Sequence, residues 1–180
     1  MNHFSPIAVI FTAILGAVTG MWMCNAIADN MQVRGFELSM ADDSQGALVC
    51  YDRAIMLNPS LAPAYVNRAQ AKRALGDTEA ALMDCTKAIE CGGSPEFLLM
   101  TYTIQGSLKE DLDDKRGAIA DYNSALVFNR AIKSVDLRMN PVAFTALTQR
   151  GLLEAAVGET KDAIDDLTEV IKIDPTCAQA

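Results

Sequence analysis

Histidine is almost missing: the 180-residue chain holds one, His3, near its start. Without a histidine further on, a Ser-His-Asp or Cys-His mechanism cannot be built, and the commonest zinc ligand is lost. There is no C-x-x-C pair and no D-x-[DN]-x-[DN]-G calcium loop, and Gly92-Gly93 lacks the following Lys-Ser/Thr of a phosphate-binding loop. Bases are scarce, 15 against 23 acids for a net charge of −8. That balance argues against nucleic acid, which needs clustered Lys and Arg. Acid pairs such as Asp113-Asp114 and Asp165-Asp166 read as solvated helix starts and faces rather than catalytic pairs. No period-two alternation argues for a sheet. Aromatics make up 6% of a chain that is 51% hydrophobic, so small aliphatic side chains must fill its core. These absences predict no enzyme, no metal, no cofactor and no small-molecule substrate.

Charge is also missing from residues 1–28, and the first ionisable acid or base other than His3 is Asp29. Ile7 to Ala28 is apolar apart from Thr12, Thr19 and Asn25, and ends in Ala26-Ile27-Ala28. An apolar stretch closed by A-x-A is the pattern of a secretory signal peptide, here cleaved before Asp29. The chain is then exported, periplasmic or secreted. About 20 apolar residues can also span a bilayer, so a retained membrane anchor is the alternative, and a buried first helix is a third reading. With no fixed positive side chain before the apolar run, orientation is weakly set.

What the chain does have is a repeated pattern. Ala62–Pro95 reads as a helix, a turn at Gly76-Asp77, and a second helix ending at Gly92-Gly93. Counting Ala62 as position 1, small residues fall at positions 8, 20 and 27: Ala69, Ala81 and Ala88. Helices approach closely only where side chains are small. The same positions are Gly35, Ala47 and Ala54 upstream, then Gly106, Ala118 and Ala125, then Gly151, Ala163 and Val170. Position 4 is Met31, Tyr65, Tyr102 or Leu147, and position 24 is Tyr51, Cys85, Tyr122 or Leu167. Asn58-Pro59 and Asp174-Pro175 mark repeat ends. The repeats run over about residues 28–61, 62–95, 99–132 and 144–177, with turns at Asp42–Ser44 and Asp111–Asp114 in the first and third. Ser94-Pro95 reads as an N-cap with Pro at N1, and Asn140-Pro141 as another helix start.

This 34-residue helix–turn–helix pattern resembles the tetratricopeptide repeat. The resemblance covers about residues 28–177. It implies an all-α fold, an α-solenoid of about four repeats occupying 29–180, whose first helices line a groove that binds a protein or peptide partner. Carried over position by position, the groove residues include Phe36, Met40, Val66, Gln70, Arg73, Thr103, Ser107 and Glu110. Phe36, Met40 and Val66 form the expected apolar anchor site. Arg73 is expected to pair with a partner's acid, and Glu110 and Asp111 to repel acidic segments. The family's carboxylate clamp is not reproduced: Asn67 matches one clamp position, while Gln32, Phe36, Met100 and Ile104 fill the others. Departures from the family pattern include arginine at position 7, as Arg34, Arg68 and Arg150. Asp84 and Asp166 at position 23 can pair with two of these; repeat one has Cys50 there, so Arg34 lacks that partner.

Four cysteines follow the leader. Cys85 holds the core position of Tyr51 and Tyr122, so it reads as a small buried hydrophobe. Cys85 and Cys91 are separated by about 9 Å of helical rise on different faces, beyond disulfide reach. Free thiols are expected for Cys50, Cys85 and Cys91, with Cys177 the one placed to bridge two chains. Two readings remain for the outer face of repeat four. Either its own acids keep it soluble, or a partner or second copy docks there.

Overall fold

The computed structural model describes residues 6–132 and 140–175, with side chains from residue 19 onward. Its elements are α1 (Pro6–Met40), α2 (Ser44–Leu57), α3 (Ala62–Ala74), α4 (Thr78–Cys91), α5 (Pro95–Asp111), α6 (Lys115–Ala131), α7 (Pro141–Val157) and α8 (Thr160–Ile173). Among the described residues there is no strand. The fold is an all-α solenoid of helix–turn–helix repeats. Consecutive helices pack as antiparallel neighbours, and α1 also touches α3 as α5 touches α7. First helices meeting first helices puts α1, α3, α5 and α7 along one side of the stack.

Local chemistry explains the helix boundaries. Asp43, Asp77 and Asp114 each accept a hydrogen bond from the third amide of the following helix, at 2.8, 3.2 and 2.9 Å. Each thereby satisfies an amide that the helix itself leaves unpaired. The residue before each cap, and its counterpart before α8, sits in the left-handed region: Asp42, Gly76, Asp113 and Gly158, at φ between 59° and 88°. Ser94 caps α5 and Pro95 starts it; Asn140 caps α7 and Pro141 starts it.

Packing follows the small positions. A Cβ at Gly35 would lie 2.6 Å from the Tyr51 ring, and one at Gly106 would lie 2.9 Å from the Tyr122 ring. Ala69, Ala81 and Cys85 of repeat two share a cluster with Leu108 of repeat three, and Ala47 packs with Tyr51 and Ala71. The largest cluster joins repeats three and four, from Leu99 and Tyr122 to Leu147, Leu153 and Val170.

Helix α1 holds the largest departure from a bare repeat. It is 35 residues long, about 50 Å at helical rise, and passes through Ala28-Asp29 without a break. Ala28 is buried, whereas Met21, Trp22, Met23 and Ile27 are exposed. Among the described side chains, packing against the repeats therefore begins at Ala28. Of the leader, residues 1–5 lie outside the described residues. Among the residues with described side chains, from residue 19 onward, no helix is long and apolar enough to cross a membrane.

Candidate functional site

Helices α1, α2 and α3 enclose a groove of about 240 Å³. Phe36 and Met40 on α1 and Gln70 on α3 line it, as the repeat register predicts. Phe36 is 51% exposed and Met40 74% exposed, so both present apolar surface that no described residue covers. Asn67, Ser39 and Asp42 add polar atoms, and Ala71 and Ala74 keep the wall on α3 shallow. Tyr51 closes the inner end, its hydroxyl 3.2 Å from Ser39 Oγ. Burial raises the Tyr51 phenol above its ordinary value, against the lowering effect of that hydrogen bond, so it stays neutral.

Val66 is not part of this surface. It is 1% exposed and packs with Tyr65 and Ala88 beneath Phe97 and Ile104. The reason is that α5 begins at Pro95, as Ser94-Pro95 predicts, about one turn ahead of position 1 of repeat three, and that turn brings Phe97 over α3. The expected anchor trio is therefore a pair, Phe36 and Met40.

Arg73 also departs from expectation. Its guanidinium forms a two-point ion pair with Asp111, Nε–Oδ2 2.7 Å and Nη2–Oδ1 3.0 Å. It is thus already neutralised by its own chain, and Asp111 no longer stands as an unpaired repulsive charge. Glu110 is engaged as well, accepting a hydrogen bond from the Tyr122 hydroxyl. Burial first, then this bond and the charge of Glu110, raise the Tyr122 phenol above its ordinary range.

The groove residues of repeat three do not line the opening at Phe36. Thr103 lines a second, more apolar opening of about 280 Å³ with Met100, Ile104, Pro141, Val142 and Thr145. Ser107 is half-buried and lines neither opening. One continuous predicted groove is thus two shorter ones.

Position 7 behaves as its spacing predicts. Arg68 binds Asp84 through Nε at 2.8 Å and Nη2 at 2.6 Å and reaches back to Asp52 at 2.7 Å. Arg150 binds Asp166 through two bonds of 2.6 Å and reaches back to Asn123. Arg34 is exposed and makes no ion pair among the described residues. The fork-to-carboxylate pairs join the two helices of one repeat, and the third nitrogen reaching Asp52 or Asn123 stitches that repeat to the previous one. Cys85 is fully buried, and burial with nearby Asp84 and Asp121 pushes its thiol up to about 12. Cys24, Cys50, Cys85 and Cys91 are free thiols, and Cys177 lies outside the described residues. Among the described residues no group of three or more acidic, histidine or cysteine side chains could hold a metal ion.

Residues 62–90 match the tetratricopeptide repeat family model. The tetratricopeptide repeat protein 36 homolog of Nematostella vectensis is 43% identical over 63 residues, 35% of this chain and 35% of that protein. The chain spans between 10% and 35% of the length of the relatives it matches. Among solved structures, YrrB, described as a TPR protein with an unusual peptide-binding site, superposes with a TM-score of 0.63 at 21% identity, covering 78% of this chain and 66% of YrrB. The first TPR of Spaghetti (RPAP3), bound to an HSP90 peptide, superposes with a TM-score of 0.61 at 20% identity, covering 74% and 94%. Residues 62–90 are thus a tetratricopeptide repeat, and the described chain has the α-solenoid fold of proteins built from such repeats.

Proposed function

We propose that the protein is an interaction module that holds a segment of a partner protein in the groove between α1 and α3. The observation carrying this reading is the exposed Phe36–Met40 pair standing over a groove whose other wall supplies Asn67 and Gln70. An aromatic ring beside a flexible methionine suits an apolar anchor, and the two amides can pair with a segment's backbone. Two solved neighbours of the same fold are described as binding peptides, which supports a peptide-like occupant. The occupant differs from a terminal acid held by a clamp, because Phe36 takes a clamp position and Arg73 is tied to Asp111. Selection of a random peptide library on the full chain tests the reading. Enriched peptides should share an apolar anchor, and Phe36→Ala should weaken them by about 2 kcal/mol while leaving helix content unchanged. Equal binding by wild type and Phe36→Ala would overturn it.

We further propose that residues 1–28 direct export and are removed after Ala28, with a retained membrane anchor as the alternative. Exposure of Met21, Trp22, Met23 and Ile27, next to a buried Ala28, supports a segment that is no part of the repeat packing. A second interaction surface is favoured by α8. Ile164 and Ile171 are exposed, while their counterparts Leu48, Leu82, Ile119 and Ile55, Ile89, Leu126 are at least half-buried in earlier repeats. A partner or second copy of the chain docking there would account for two exposed isoleucines. Peptide binding that survives Phe36→Ala but fails in Ile164→Asp/Ile171→Asp would shift the assignment to α8.

A further inference from the structure

In repeats two, three and four, position 11 of the first helix lies near position 23 of the second. In repeat two Lys72 Nζ sits 2.8 Å from Asp84 Oδ2, and in repeat three Lys109 Nζ sits 2.7 Å from Asp121 Oδ2. Repeat four places Glu154 at position 11, close to Asp166. Glu154 is 5% exposed. Its Oε1 is 3.6 Å from Arg150 Nε, too far for a hydrogen bond, and its Oε2 has no hydrogen-bond partner. Arg150 cannot serve both acids well, because its fork is filled by Asp166 and its remaining nitrogen by Asn123.

Glu154 lines a polar cleft of about 380 Å³ together with Arg150, Glu159, Asp162, Asp165 and Asp166. One guanidinium thus faces five carboxylates; Asp166 holds its fork, and the most buried of the five, Glu154, keeps one oxygen without a hydrogen-bond partner. Helix α6 contributes only the neutral Asn123 and Ile119 to this cleft; its Arg116 lines a neighbouring depression with Glu159 and makes no ion pair. A desolvated carboxylate in that setting calls for a cation or a proton. Burial first, then Asp166, raises the Glu154 carboxyl above its ordinary value.

We propose that this cleft binds a primary ammonium group, carried by a lysine of a partner protein, which supplies to Glu154 what Lys72 and Lys109 supply to the preceding repeats. A metal ion is the poorer fit, since no described group of acids is placed to hold one. A guanidinium is also the poorer fit, because the two internal precedents are compact ammonium groups with tetrahedral donors. The surface is separate from the Phe36 groove, so this site and that one stand or fall independently.

Carboxyl-detected NMR on the full chain tests the proposal with three probes at matched ionic strength: a capped Gly-Gly-Lys-Gly-Gly peptide, its Nε-acetyl-lysine form, and n-butylammonium. The Glu154 resonance should shift saturably with the lysine peptide and bind the acetylated form about tenfold more weakly or worse. Tighter binding of the peptide than of n-butylammonium supports a partner's lysine; equal binding supports the ammonium site with a free amine as its source. Glu154→Gln should lose the response while keeping its helix content. Glu154→Lys should lose it and melt at a higher temperature, since it restores the pattern of repeats two and three. The proposal is overturned if lysine and acetyl-lysine peptides act alike, if Glu154→Gln titrates as wild type does, or if Glu154 is fully protonated at neutral pH and ignores all three probes.

Discussion

Gly106 and Tyr122 form one interlocking unit, as do Gly35 and Tyr51, because each ring fills the space a methyl group would take. Repeat two solves the same contact differently, with Ala69 packed among Ala81 and Cys85. A methyl at position 8 and a ring at position 24 exclude each other. Gly106→Ala should therefore destabilise by about 1–3 kcal/mol in urea unfolding, and cost clearly less in a Tyr122→Cys background. An equal cost in both backgrounds would place the clash elsewhere. Glu154 sets a pH signature at the same scale. Its folded carboxyl titrates above the ordinary 4.5, so its contribution is full below that value and is lost as pH rises through the folded value. The facing groups are Arg150 on its own helix, Asp166 and Asp162 on α8, Glu159 before it, and neutral Asn123 on α6. Glu154→Gln should melt above wild type at neutral pH, and the gap should close below pH 4.5. A gap independent of pH would assign the effect to packing instead.

At the scale of the helix, the four turns are variations on one solution. Each spends a left-handed residue followed by an acidic cap, but the caps differ in length. Asp43, Asp77 and Asp114 reach their helices, whereas Glu159 makes no side-chain bond to α8. One extra methylene carries the carboxylate past the amide it should meet. Glu159→Asp keeps the charge and should stabilise the protein by about 0.5–1 kcal/mol, read as a shift in the urea midpoint. Helix contacts give a paired test. Ala81 is fully buried and Ala80 only half-buried. Ala81→Leu should cost about 1–3 kcal/mol through overpacking, and Ala80→Leu less. Equal midpoints would mean that the small positions do not set helix spacing.

For the whole molecule, the arrangement is a row of repeats with a long apolar helix leading into it. Helix α1 continues through the expected cleavage point, and among its described side chains, from residue 19 onward, burial begins at Ala28. Intact mass of the protein from its natural host should correspond to a start at Asp29. A full-length mass in the membrane fraction would support the anchor instead. The charged bridges act at this scale too, since Arg68 links α3 to both α2 and α4, and Arg150 links α7 to both α6 and α8.

Repeat phase, helix boundaries and the Arg68–Asp84 and Arg150–Asp166 pairs were legible in the sequence. Each depends on local spacing: 3.6-residue periodicity, a capping acid, or two positions that any single helical hairpin brings together. Cys85 could be placed in the core for the same reason, by sharing a position with two tyrosines. Position 11, which holds Leu38, Lys72, Lys109 and Glu154 in turn, is equally readable as a local pattern. Contacts between repeats belong to the tertiary structure. Val66 is covered because the first turn of α5, ahead of position 1 of its repeat, packs Phe97 across it. Arg73 meets Asp111, 38 residues away, only because α3 and α5 lie close enough side by side for both side chains to reach. The angle and spacing at which one hairpin stacks on the next decide which side chains of different repeats meet, and no single hairpin's pattern encodes them.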